Sequence, residues 1–274
     1  MKRILVLSLV FLVVSVSSIF AAGEVAIYTG LTQWILKPAA DKHADKYVQL
    51  FEKAKIKVTW FKSDKDGPKV ADWVKKTTSD NVIDARILFG DIPPAIYAGG
   101  NAQEDGSVAE KFVETKDGNA IMNHADYMFW GLAGRNKEPG LQNIMDVPGI
   151  VMWDDNTPCK VTAEGKEISP TLGKLGEILS DRPFHVDQIE GKSWKVEVSL
   201  ADGKDGTRAD PVIVRDGDKG RLIPCVQIAN PTEPLADIGF EIISWLFTEN
   251  IKGDTAVEPA EKLSVVWSDL KTKK

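Results

Sequence analysis

Apolar positions alternate along this chain between two spacings. Val25-Ala26-Ile27-Tyr28-Thr29-Gly30 is an apolar run closed by glycine, the pattern of a buried strand ending in a turn. Ala44, Tyr47, Val48, Phe51 and Ala54 then recur at helical spacing and predict a helix over 39–54. A β-rich stretch over 57–61, a short helix over 70–76 and a third strand over 84–89 follow, the last closing at Gly90-Asp91. Ser107-Val108-Ala109-Glu110 is a capping box ahead of the apolar face Val108, Phe112 and Val113. A fourth strand is expected over 120–123 and a fifth over 149–153. Strands alternating with helices at this spacing predict a doubly wound, mostly parallel α/β sheet with helices on both faces.

The second half is less regular. Ser169-Pro170 is an N-cap with proline at the first helical position, leading into Leu172, Leu175, Ile178 and Leu179. Residues 195–200 alternate as a half-buried strand, and 211–215 with 221–227 form a hairpin through Asp216-Gly217-Asp218. Ile238, Ile242, Ile243 and Phe247 mark a last helix over 237–247. With no repeat, low-complexity tract or Pro-rich linker, a single domain over 23–274 is expected.

The N-terminus changes the cellular setting. Met1-Lys2-Arg3 precedes the apolar run Ile4–Phe20, and Ala21-Ala22-Gly23 offers small residues for processing, the layout of a secretory signal peptide over 1–22. An uncleaved anchor is the other reading, although the run lies at the short limit for crossing ~30 Å of hydrocarbon. The mature chain is therefore expected outside the cytoplasm, secreted or periplasmic, with no membrane contact once the leader is gone. Losing Lys2 and Arg3 takes the formal net charge from -6 to -8. That balance argues against nucleic acid, which calls for clustered Lys and Arg. Cys159 and Cys225 either pair in an oxidising compartment or stand as separate buried thiols.

Three stretches carry a family resemblance. They are Val25–Gly30, Gly118-Asn119-Ala120-Ile121-Met122-Asn123-His124-Ala125, and Lys219-Gly220-Arg221-Leu222-Ile223 with the later Ile243-Ser244-Trp245. Their order and spacing resemble the trehalose-utilisation (ThuA-like) branch of the class I glutamine amidotransferase-like superfamily. The resemblance implies a flavodoxin-like fold. It also sets His124 at the turn where the amidotransferases carry a cysteine nucleophile. The family's later His-x-Glu pair has no counterpart, and Asn230 stands where the ThuA-like branch often has a histidine. Without a thiolate or its base, glutaminase chemistry lacks a nucleophile.

Ligands of open parallel sheets bind beyond the carboxyl ends of the strands. Those ends bring Gly30, Gln33, Asp91, His124, Asp126, Asp154 and Asp155, with Asn230 nearby. His124 with Asp126 or Asp91 is material for acid–base catalysis by a hydrolase or isomerase, and His124 with Asp91 or Asp154 for a metal site; structural roles as a core histidine and a helix cap stand beside them. Trp34, Trp130 and Trp153 fall at the same edge, where indoles hold flat apolar faces such as those of sugars; ordinary core packing is the alternative. Gly99-Gly100-Asn101 lacks the lysine and spacing of a phosphate loop, so no cofactor is expected. The expected partner is a small polar ligand, plausibly a carbohydrate.

Overall fold

The computed structural model describes residues 23–101 and 105–254; the signal-peptide reading lies outside them. In chain order the strands and helices are β1 Val25–Tyr28, α1 Lys37–Lys53, β2 Val58–Phe61, α2 Gly67–Lys76, β3 Ala85–Phe89, α3 Val108–Val113, β4 Ala120–His124 and α4 Glu138–Met145. Then follow β5 Thr157–Val161, α5 Ala163–Ile168, α6 Pro170–Leu175, β6 Glu177–Ser180, β7 Phe184–His185, β8 Trp194–Ser199, β9 Ala201–Gly203, β10 Arg208–Ala209, β11 Val212–Asp216, β12 Arg221–Pro224 and α7 Leu235–Asp254.

Among the described residues, seven strands form the main sheet in the order β2-β1-β3-β4-β12-β11-β8. The first five are parallel to their neighbours, while β11 and β8 run antiparallel at one edge. Strand alternation sends successive side chains to opposite faces. Ile27, Ile87 and Met122 pack with Tyr47 and Phe51 of α1 and Ile238 and Ile242 of α7. Ala26, Leu88 and Ile121 pack with Val70 of α2, Phe112 of α3 and Leu141 of α4. The chain is thus an α/β protein with helices against both faces of a mixed sheet.

Most local elements form where their patterns set them. Ser107 and Glu110 make the capping box reciprocally, and Ser169 caps α6 through the Leu172 amide. The 211–227 hairpin pairs Val214 with Leu222, and its second strand also lies parallel to β4. Two expectations fail. Residues 149–153 are not a strand: the Gln188 side chain accepts from the Val151 N–H at 2.8 Å and Gln142 Nε2 donates to the Ile150 carbonyl at 3.1 Å. Side chains there do what a ladder would, and β12 takes the place beside β4. Helix α6 also stops at Leu175, because Gly176 (φ 74°) turns the chain and Ile178 and Leu179 enter β6.

The sequence pattern did not announce a second, antiparallel sheet, β6-β5-β9-β10-β7. Its Cys159, Val161, Ile178 and Ala201 share one core cluster with Val198 and Ile213 of the main sheet. Cys159 and Cys225 are both buried and unpaired with each other.

Candidate functional site

The site is built around the end of β4, the middle strand of seven. Beyond His124 the chain passes through Ala125 (φ 65°) and Asp126 (φ 53°), two consecutive non-glycine residues in the left-handed region. Such residues each cost on the order of 1 kcal/mol and persist where surrounding structure over-determines them. The surroundings here are specific. Asn123 accepts the Gly90 N–H at 3.1 Å through Oδ1, and its carbonyl takes the Gln227 Nε2–H at 2.7 Å and the Cys225 N–H at 3.0 Å. Buried Asp210 receives the amides of Val226 and Gln227, each at 2.7 Å, and the Ser180 hydroxyl at 2.6 Å. Those bonds hold Val226 at φ 59°, and its carbonyl accepts the Ala125 N–H at 3.3 Å.

This geometry corrects the position assigned to His124. The imidazole belongs to the last residue of the strand, and the sharp turn falls one residue later, at Ala125-Asp126. His124 is wholly buried among Tyr47 and Phe89. Its Nδ1 donates to the Cys225 carbonyl at 2.8 Å, leaving Nε2 to accept the Tyr47 hydroxyl at 2.7 Å. Burial pushes its pKa down to about 3, so the ring is neutral and both nitrogens are committed inside the core.

Two carboxylates are also engaged elsewhere. Asp91 pairs with Arg135 Nη2 at 2.9 Å and accepts the Leu132 N–H at 3.0 Å; burial raises its pKa against the pull of that guanidinium. Asp154 faces the second sheet, where Lys204, Arg208 and His185 surround it. Desolvation raises its pKa, and hydrogen bonds from Lys204 and Arg208 outweigh that and hold it below the ordinary value. Gly30 is a packing position, since a Cβ there would meet the Ser63 carbonyl oxygen at 2.3 Å. Asn230 is exposed, and its N–H donates to the Trp34 carbonyl at 2.5 Å.

The remaining residues converge. Trp34 lies 6.3 Å from Trp130, Trp130 lies 5.1 Å from Trp153, and Tyr127 touches both Trp130 and Trp153 at 5.1 and 5.0 Å between ring centres. Trp153 keeps 40% of its surface exposed. Arg182 stacks on Trp153 at 4.9 Å, pairs with Asp155 and reaches Asp126 Oδ1 at 3.3 Å through Nε. That last contact lacks hydrogen-bond geometry, so Asp126 Oδ1 and Arg182 Nε both remain buried without a hydrogen-bond partner, as do Gln33 Oε1 and Tyr127 Oη. Burial raises the Asp126 pKa to about 6, with Arg182 opposing the rise.

Sequence reasoning missed Arg182 and Tyr127. Tyr127 follows Asp126 directly and was within reach of a strand-end reading. Arg182 arrives from a loop before Pro183, with no periodic signal to mark it. Among the described residues, no group of three His, Cys, Asp or Glu side chains converges to hold a metal.

Fold and strand-end geometry together define an α/β protein with an aromatic, polar-edged cluster at the carboxyl end of its central strands. Among solved structures the chain is similar to a ThuA-like protein of Bacteroides uniformis, with 10% sequence identity and a TM-score of 0.45, over 82% of this chain and 91% of that one. No family description and no curated protein matches the sequence.

Proposed function

We propose that this chain is an exported, flavodoxin-like, doubly wound domain of ThuA-like kind that binds a small polar ligand, a carbohydrate, on the aromatic cluster. One observation carries the reading: three indoles and a phenol gather beside the side chains of Arg182 and Asp126, whose buried Nε and Oδ1 lack hydrogen-bond partners. Orphaned polar atoms cost ~1–3 kcal/mol each when nothing meets them, and sugar hydroxyls would meet both donors and acceptors while a sugar's apolar face lies on an indole. Strand order adds support, since β1 pairs with β2 on one side and β3 on the other, and ligands of such sheets bind where the order reverses. The Lys2-Arg3 leader and Ala21-Ala22-Gly23 support export.

The test is a titration of the purified protein with mono- and oligosaccharides, followed by tryptophan emission and thermal shift. A saturable emission change is expected, and Trp153→Ala should weaken binding by about tenfold or more. If no sugar moves either signal, the reading is wrong.

A second reading, hydrolysis or isomerisation, narrows from His124 with Asp126 or Asp91 to Asp126 alone. Its raised pKa and unmet Oδ1 suit a proton-transfer role. In that case Asp126→Asn abolishes turnover while sugar binding persists, and a base's rate climbs through about pH 6.

A further inference from the structure

Two guanidinium groups are buried in the main sheet, and the fold treats them differently. Arg221, on β12, is fully partnered: Nε and Nη2 bind the Glu197 carboxylate at 2.5 and 2.8 Å, and Nη1 donates to the Gly118 carbonyl at 2.7 Å. Arg86, on β3, is equally buried at 1% exposure. Its Nε and Nη1 have no hydrogen-bond partner, and among the described residues the titratable group that acts on it is the Tyr28 phenol rather than a carboxylate. An uncompensated buried charge costs several kcal/mol, which a stable sheet centre does not carry without a counter-charge.

The surroundings set further donors in an apolar wall. Arg86 stands in register with Ala26 on β1 and Ile121 on β4, so its lateral neighbours are apolar and the one on β1 is small. Two residues beyond Ala26, on the same face, is Tyr28, whose buried hydroxyl also lacks a partner. Trp73 of α2, in the same core layer, has an unmet Nε1–H. Every unmet group named here can donate a hydrogen bond, and the guanidinium brings a single positive charge.

We infer that Arg86 and Tyr28 form an internal binding site for one small monovalent anion of the halide class, seated between β1 and β3 under α2. A halide accepts several hydrogen bonds, matches one charge and tolerates apolar walls. This site is independent of the carbohydrate reading, and its tests do not use the aromatic cluster.

The protein is placed in a buffer of the bulky isethionate anion, and bromide is exchanged in at constant ionic strength while thermal unfolding is followed. Ligand linkage predicts a rise of about 3–5 °C for each tenfold increase in bromide once the site begins to saturate. Arg86→Met should give no bromide response and should melt above the wild type in isethionate, because it removes a bare buried charge. Tyr28→Phe should shift the response to higher bromide. Crystals grown in bromide should show one anomalous peak within hydrogen-bond reach of Arg86 and Tyr28. Equal bromide responses in wild type and Arg86→Met overturn the inference, as does an unresponsive wild type or a crystal with no peak there. Should Arg86→Met fail to fold, Tyr28→Phe and the crystal decide the question.

Discussion

Replacing Asp210 with asparagine tests how the turn beyond β4 is held. The carboxylate is wholly buried and accepts three short hydrogen bonds, two from the amides that keep Val226 in its left-handed conformation. An asparagine there has one acceptor oxygen for two N–H donors, so one amide loses its partner. Loss of a bond to a charged acceptor costs about 1.5–3 kcal/mol. Against this stands the penalty of burying the charge. Burial raises the Asp210 pKa and the three hydrogen bonds pull it back, leaving it at about 6 instead of 3.8; that net shift corresponds to roughly 3 kcal/mol of native-state destabilisation at neutral pH, a penalty that the neutral asparagine escapes. The two effects nearly cancel there, and Asp210→Asn should lie within about 2 kcal/mol of the wild type at pH 7.5.

Acid separates them. Because the folded pKa lies above the unfolded one, the native protein binds the extra proton, and the wild type gains stability from this group as pH falls from about 6 toward 3.8. The protonated acid keeps all three contacts by donating to Ser180 Oγ, while the amide has no proton to take up. Urea unfolding of both proteins at pH 7.5 and 4.5 isolates the difference from every other titrating group. The stability gap should widen in favour of the wild type by about 2 kcal/mol at the lower pH. A gap that stays constant or narrows would refute the assignment of this carboxylate as a charged, desolvated latch.

Two further substitutions probe the same region. Tyr47→Phe removes the hydroxyl that His124 Nε2 accepts. It should cost ~1–3 kcal/mol in denaturant unfolding and leave sugar affinity unchanged, because the imidazole lies inside the core. Gly90→Ala puts a Cβ 2.0 Å from the Gln33 carbonyl oxygen at a φ of 79°. It should cost more than about 2 kcal/mol and displace the Gln33-Trp34 loop, seen as a lower melting temperature with altered tryptophan emission.

What the sequence revealed follows the range of the interactions. Strands β1, β3 and β4 and helices α1 and α3 were legible because period and capping are local, as Ser107 with Glu110 illustrates. The meeting of Trp34, Trp130 and Trp153 was legible in outline, because the carboxyl ends of parallel strands lie together. The orientation of His124 was also within reach. Ala120 and Met122 face α1 and α7, and a strand's two-residue period sends His124 the same way, onto Tyr47. The second sheet was not legible, since strands such as Phe184–His185 and Arg208–Ala209 are two residues long and exist only by non-local pairing. The apolar run over 149–153 misled for the opposite reason: its burial is real, but Gln142 and Gln188 satisfy its backbone.

In the turn after β4 a strained backbone survives with no thiol to display. Ala125 and Asp126 sit in the left-handed region on a strand-to-turn geometry that elsewhere serves to project a reactive side chain. Neither cysteine can take that part, because Cys225 and Cys159 are buried and burial pushes both thiols up, away from the thiolate. Asn123, Gln227 and Asp210 nevertheless hold the turn through buried hydrogen bonds. A turn with no further use would relax by exchanging Ala125 or Asp126 for glycine, which adopts this conformation at no steric cost. What the present residues supply instead is direction: the kink brings the Asp126 carboxylate to Arg182, and Arg182 in turn lies on Trp153. The strain is therefore spent on aiming a carboxylate at the aromatic cluster, and that aim is the physical link between the central strand and the proposed ligand.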